Sequence, residues 1–181
     1  MIKLVPYTDE HSIYLKQWVK NFSPAQLMEW GGPSFHYPLT DRQLTNYITA
    51  SYEVPQKVHI FTVFSQTTDS PIGHISLGKL NLQHQSARIG KVLLAPEARK
   101  NGYTPLLLKR ILSYAFNTLQ LHKVSLGVFD TNIRARHIYE KFGFIQEGYF
   151  RDHVNVDNAY WGMYEMSILE HEWRAMSLNH E

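Results

Sequence analysis

Val92-Leu93-Leu94-Ala95-Pro96-Glu97-Ala98-Arg99-Lys100-Asn101-Gly102-Tyr103-Thr104-Pro105 runs from an apolar strand through a polar turn into a helix. Ile89 to Leu94 reads as a buried strand, and Pro96 ends it. Beyond the turn, Leu107, Leu108, Ile111, Leu112, Ala115, Phe116 and Leu119 recur at helical spacing. Gly102 lets the backbone turn tightly, and Pro105 suits a first helical turn because its missing N–H is not needed there. A strand entering a helix through a basic, glycine-containing turn aims several free N–H groups at one point. Such a helix N-terminus binds anions, and the turn is read as the grip on a cofactor pyrophosphate.

Outward from this stretch the pattern supplies the rest of the fold. Lys3-Leu4-Val5 is a short opening strand, and Thr8 or Asp9 caps a helix carrying Ile13, Leu15, Trp18 and Val19. Phe22 to Pro38, rich in Pro, Gly and aromatics, reads as an irregular stretch, either a packed loop or a wall for an acceptor. Thr40-Asp41 caps a helix through Leu44, Tyr47 and Ile48. Residues 58–64, 72–82 and 87–94 have strand character and succeed one another as an antiparallel meander. The helix of about 104–119 follows, then a strand around Val124, Leu126 and Val128. A helix from Asn132 to Lys141 is closed by Gly143, and a hairpin spans 145–154 and 160–169 with Asp157-Asn158 at its turn. The order is β-α-α-β-β-β-α-β-α-β-β.

Composition narrows the function classes. The 181 residues fit a single domain, 1–181, and 44% apolar with 19% charged residues is globular composition. No cysteine is present, which removes disulfides, thiolate metal sites and a cysteine nucleophile. Met1 to Pro6 is too short an apolar segment for a signal peptide, and no apolar run reaches the roughly 20 residues of a membrane helix. A soluble, cytoplasmic chain without a membrane partner is expected. A net charge of +2 is too small for a nucleic-acid footprint. The ten histidines include no i, i+4 pair, so no metal site is expected. The Walker, dinucleotide and serine-hydrolase glycine patterns are absent.

Three groups carry chemistry: the 92–105 turn, Asn132 with Tyr139, and Phe142-Gly143-Phe144. Each alone has a plain structural reading: a solvated turn, a helix cap, a core aromatic. In order and spacing they resemble the GNAT superfamily of acyl-CoA-dependent N-acetyltransferases. That family's Arg/Gln-x-x-Gly-x-Gly/Ala signature corresponds to Arg99-Lys100-Asn101-Gly102-Tyr103-Thr104. Its later Asn, Tyr and aromatic-Gly-aromatic turn correspond to Asn132, Tyr139 and Phe142-Gly143-Phe144. The resemblance spans roughly 57–170, and Thr104 departs from it, standing where the family has Gly or Ala. It implies an α+β fold of layered α/β/α type, with a mixed, mostly antiparallel sheet of six to seven strands and helices on both faces. Within the superfamily, residues 144–169 look most like the branch that acetylates α-amino groups of ribosomal proteins, or the related polyamine acetyltransferases.

The resemblance also implies a site. Acetyl-CoA would be the co-substrate, its pantetheine arm lying along Val92, Leu93 and Leu94 like an added strand. Its pyrophosphate would sit on the turn formed by Arg99, Lys100, Asn101, Gly102, Tyr103 and Thr104, with Pro105 donating nothing. Asn132 would bond the cofactor arm, Arg134 or Arg136 would bind phosphate, and Tyr139 would protonate the leaving thiolate. Family members place a Glu on the strand equivalent to Ala87–Leu94, but here no acid or histidine occurs there. His36, His74, Glu29 and Glu165 stand open as bases on other elements. An α-amine of pKa near 8 is about 10% neutral at pH 7, against about 0.04% for a lysine-like amine, so it needs less help. On that ground the expected acceptor is a protein or peptide N-terminus, with a small amine such as a polyamine as the alternative. A non-catalytic acyl-CoA sensor is the rival class. Neither a stable nucleic-acid partner nor an assembly beyond monomer or homodimer is expected.

Overall fold

The computed structural model describes residues 1–178. Its spine is a seven-stranded sheet of order β1-β2-β3-β4-β5-β7-β6, with β1 Ile2–Pro6, β2 His59–Ser65, β3 Pro71–Asn81, β4 Ser86–Leu94, β5 Lys123–Phe129, β6 Ile145–Val156 and β7 Ala159–Leu169. The meander β2-β3-β4 is antiparallel as expected, and only β4 and β5 run parallel. That parallel step needs a crossover, which the helix α4 Tyr103–Ser113 supplies. Leu107, Leu108, Ile111 and Leu112 of α4 are fully buried against the sheet. The periodic run continues past Ser113 as a widened π-helical turn, Tyr114–Thr118, which keeps Ala115 and Phe116 in the core. The α+β layered architecture read from the sequence is the observed one.

Two helices depart from the expected order. Phe22 to Pro38 is not irregular throughout: α2 occupies Pro24–Gly31. Its start is a capping box, in which Ser23 Oγ accepts from Gln26 N at 3.2 Å and Ser23 N donates to Gln26 Oε1 at 2.9 Å. Pro24 takes the first helical position, where proline is favoured. A C-terminal helix, α6 Glu170–Leu178, follows β7. The remaining helices, α1 Ser12–Val19, α3 Asp41–Thr49 and α5 Ile133–Lys141, lie where expected. Within α1, Leu15, Trp18 and Val19 are buried, but Ile13 points to solvent, 64% exposed.

The central feature of the sheet is a split. Pairing between β4 and β5 covers only Ser86↔Lys123, Ala87↔Val124 and Arg88↔Ser125, although both strands continue. A bulge in β4 helps to cause this. Between His74↔Leu93 and Ser76↔Gly90, β4 has one more residue than β3, and Lys91 takes a left-handed φ of 51°. Bulges bend a strand and increase its twist, turning the end of β4 away from β5. At the apex, the Arg88 guanidinium crosses over Gly127 of β5 to an ion pair with Glu165 of β7. A Cβ on Gly127 would lie 2.3 Å from Arg88 Nη2, so any larger residue would have to displace the guanidinium from that crossing. No described helix is long and apolar enough to cross a membrane.

Candidate active site

The split opens into a cleft of about 420 Å³, whose lining includes β4, β5, the 99–104 turn and α2. It brings together Val92, Leu93, Leu94, Arg99, Lys100, Thr104, Asn132, Arg134 and Tyr139. At one end, Gly102 is the N-cap of α4 with a φ of 73°, and Lys100 is also left-handed at 67°. No side chain caps this helix and no acid lies in its first turn. The N–H groups of Gly102, Tyr103 and Thr104 therefore lack intrahelical acceptors, and Pro105 has none to offer. Asn101 turns its amide back to the Glu97 carbonyl at 3.2 Å, Tyr103 packs on the core and Pro105 faces solvent. Those three residues lend the turn its shape; their side chains do not line the cleft.

Arg99 folds its Nε onto the Leu94 carbonyl at 3.2 Å, tying the turn to the end of β4. Asn132 caps α5, its Oδ1 accepting from Ala135 N at 3.0 Å, which leaves its amide N–H groups free to donate into the cleft. Arg134 lines the cleft, whereas Arg136 does not. Arg136 pairs with Glu140 at 2.8 Å and lies 4.0 Å over the Tyr164 ring, engaged away from the cleft lining. Tyr139 is buried, its ring edge-on to Phe144 with centroids 5.8 Å apart, and its hydroxyl has no hydrogen-bond partner among the described residues. Burial pushes that phenol up to about 12.

These features fit a coenzyme A thioester. The unpaired edges of β4 and β5 offer backbone groups to an extended pantetheine arm, and the uncapped helix with Arg99, Lys100 and Arg134 suits phosphates. The Thr104 side chain faces the same end, so it is a direct neighbour of whatever anion sits there.

Of the four acid–base groups left open by the sequence, Glu29 alone lines the cleft. Partial burial holds its carboxyl above the ordinary carboxylate range, a shift that makes it a better proton acceptor. His36 lies outside, its backbone tied to Gln43. Glu165 is engaged by Arg88. His74 is fully buried, with Nε2 bonded to the Tyr47 hydroxyl at 3.0 Å. Burial first, then the Lys91 charge, push its pKa down to about 3, too low for a base at neutral pH. Reading 22–38 as irregular, loop or acceptor wall, leaves Glu29 unranked among those four; the Ser23-Pro24-x-Gln26 capping signal places it on a helix facing β4.

The buried neutral His74 also predicts an acid sensitivity. Unfolded, it takes up a proton near pH 6.5; folded, it does so only near pH 3. Its contribution to stability is therefore whole above pH 6.5 and is lost as pH falls, at about 1.4 kcal/mol per unit. Urea melts should lose roughly 2 kcal/mol more between pH 7 and pH 5 in the native protein than in His74→Asn. Equal acid losses in the two would contradict this.

Comparison with known proteins agrees with the geometry. Residues 2–145 match the family described as Acetyltransferase (GNAT) domain, and the chain belongs to that family, whose enzymes use acetyl-CoA as co-substrate. Among curated proteins it is similar to the spermidine N(1)-acetyltransferase of Vibrio cholerae, at 34% identity over 56% of this chain and 58% of that one. It is also 31% identical to a putative ribosomal N-acetyltransferase of Bacillus subtilis, over 57% of this chain and 56% of the relative. The matched stretch thus spans less than two thirds of either relative. Among solved structures, the Vibrio cholerae spermidine N-acetyltransferase in complex with CoA and spermine superposes with a TM-score of 0.83. That match is 24% identical and covers 96% of this chain and 98% of the other, a likeness of fold.

Proposed function

We propose that this chain transfers the acetyl group of acetyl-CoA to the primary amine of a small molecule, by direct attack in a ternary complex. The observation that carries the reading is the β4/β5 cleft, with an anion-binding turn at one end and Tyr139 and Glu29 in its lining. The curated relatives named for spermidine favour a small amine over the protein N-terminus expected from amine basicity.

Acetyl-CoA supplies an activated thioester carbonyl. The protein's residues handle protons and position. Glu29 takes the proton from the incoming ammonium, directly or through a water, and the neutral nitrogen attacks the carbonyl carbon. As the C–N bond forms and the C–S bond breaks, the Tyr139 hydroxyl gives its proton to sulfur, and the second proton that the nitrogen sheds on becoming an amide restores the phenol. Asn132 and the backbone of Val92 to Leu94 hold the arm so that the carbonyl faces the amine.

A base is needed only while the amine is protonated. Glu29→Gln should therefore lose about 100-fold in kcat/KM at pH 7 and approach the native rate near pH 10, where a small amine is substantially neutral unaided. A deficit independent of pH would remove Glu29 from the role. The acceptor class is checked by thiol release with spermidine, short monoamines, amino acids and an N-terminal peptide. A small amine should exceed the peptide by about tenfold or more in kcat/KM; a peptide preference would restore the protein N-terminus as acceptor.

A further inference from the structure

The β4 bulge places an unusual cation beside the cleft. Lys91 lines it, yet among the described residues its Nζ has no carboxylate partner; its one hydrogen bond is to Ser34 Oγ at 3.3 Å. The ammonium lies 5.0 Å from the Tyr47 ring centroid and 5.5 Å from that of Phe35. Burial holds it below the ordinary lysine range, so the charge is carried at a cost. Trp30, stacked on Phe35 with centroids 5.4 Å apart, also lines the cleft, and its buried Nε1 has no partner. An indole N–H can only donate. His74, whose Nδ1 is likewise buried without a partner, lies 6.2 Å from Trp30 between ring centroids.

A partly buried ammonium held only by a hydroxyl and an orphaned N–H donor, beside the same aromatic cluster, lack the same thing, an acceptor bearing negative charge. The cofactor's phosphates do not fill that need. Their turn begins at Arg99, and even Leu94, where Arg99 is anchored, is three strand residues, or about 10 Å, from Lys91. Lys91 instead faces Ser34, Phe35 and Tyr47, which belong to the segment following α2 and to α3. Glu29, the acid of this cleft, makes no ion pair with Lys91 among the described residues and remains available for an amine.

The geometry points to an acceptor that carries a carboxylate as well as its amine, an amino acid or amino-acid-like molecule whose carboxylate lies on Lys91 Nζ and Trp30 Nε1. A polyamine would instead bring a second ammonium towards Lys91. This inference rests on the acetyltransferase reading above and sharpens its substrate class.

The test is thiol release with α- and ω-amino acids, their methyl esters, and diamines of matching length. At the best chain length the carboxylate should exceed its ester and the diamine in kcat/KM by about ten- to a hundredfold, the range of hydrogen bonds to charged groups. Lys91→Met, which keeps the stem and removes the charge, should bring the carboxylate-to-ester ratio close to one. Trp30→Phe, which keeps the stacked ring, should lower the ratio in part. Lys91→Glu should reverse the preference towards the diamine. An ester or diamine matching the carboxylate in the native protein, or a ratio that survives Lys91→Met, overturns the inference and leaves the acetyltransferase reading intact. Thiol release with no amine at all, spermidine and peptide included, overturns both.

Discussion

Tyr139→Phe is expected to lower kcat by about 100-fold or more, with KM for acetyl-CoA changed by less than about twofold. The ring of Tyr139 packs against Phe144, and phenylalanine preserves that contact. The hydroxyl has no partner among the described residues, so its removal orphans nothing, and the melting temperature should hold or rise slightly. What is lost is the proton. An unperturbed phenol gives its proton to a thiolate of pKa near 8.5 at a cost of about 2 kcal/mol. With the phenol at about 12, the gap widens to about 3.5 units, roughly 5 kcal/mol. The burial that lifts the phenol also disfavours a thiolate beside it, which narrows the gap inside the cleft. A protonated Tyr139 is thus the resting state at all working pH values. Steady-state thiol release and a thermal melt on the same variant check both halves, and native turnover would remove Tyr139 from the reaction.

Thr104→Asp is expected to move function and stability in opposite directions. Thr104 lies in the first turn of α4, which has no acidic residue and no side-chain cap. A carboxylate there complements the helix dipole and should add about 0.3–1 kcal/mol of stability. The same charge faces the proposed pyrophosphate. Two like charges about 4 Å apart at an effective dielectric of 20 repel by about 4 kcal/mol. Screening in the open cleft trims this to roughly 2–3 kcal/mol, or a KM for acetyl-CoA raised about 100-fold. Thr104→Ala, which brings the turn nearer the family pattern, should shift KM by no more than a few fold. A stabilised Thr104→Asp with native KM would place the phosphates elsewhere.

Much of this was legible in the chain because local and tertiary demands coincide. Strands β2 and β3 of the meander are near-continuous buried runs bounded by turn residues, and α4 has four fully buried apolar residues at helical spacing. The 92–105 stretch reads as strand, turn and helix, and each part is there. Helix α2 is masked in the sequence because the surrounding 22–38 stretch is rich in glycine, proline and aromatics, while the helix start depends on two reciprocal hydrogen bonds of Ser23 and Gln26. Sequence alone leaves Glu29 one of four unranked bases and Trp30 in a stretch that is either loop or acceptor wall; α2 puts both in the cleft lining. The absence of a glutamate from β4 is plain in the sequence, but the bulge at Lys91 is not; a bulge is set by the pairing of two strands and leaves no local pattern. Arg136 has Glu140 at i+4 on the same helix, a pairing the sequence offers, whereas its stacking on Tyr164 of β7 is tertiary and not readable there.

The account rests on the split between β4 and β5 as the place where acetyl-CoA is held. A crystal structure with coenzyme A bound tests this most directly. The account predicts the arm extended along Val92 to Leu94, the pyrophosphate on the N–H groups of Gly102 to Thr104 and the thiol beside the Tyr139 hydroxyl. Coenzyme A bound outside the split, or with its thiol remote from Tyr139, would contradict it.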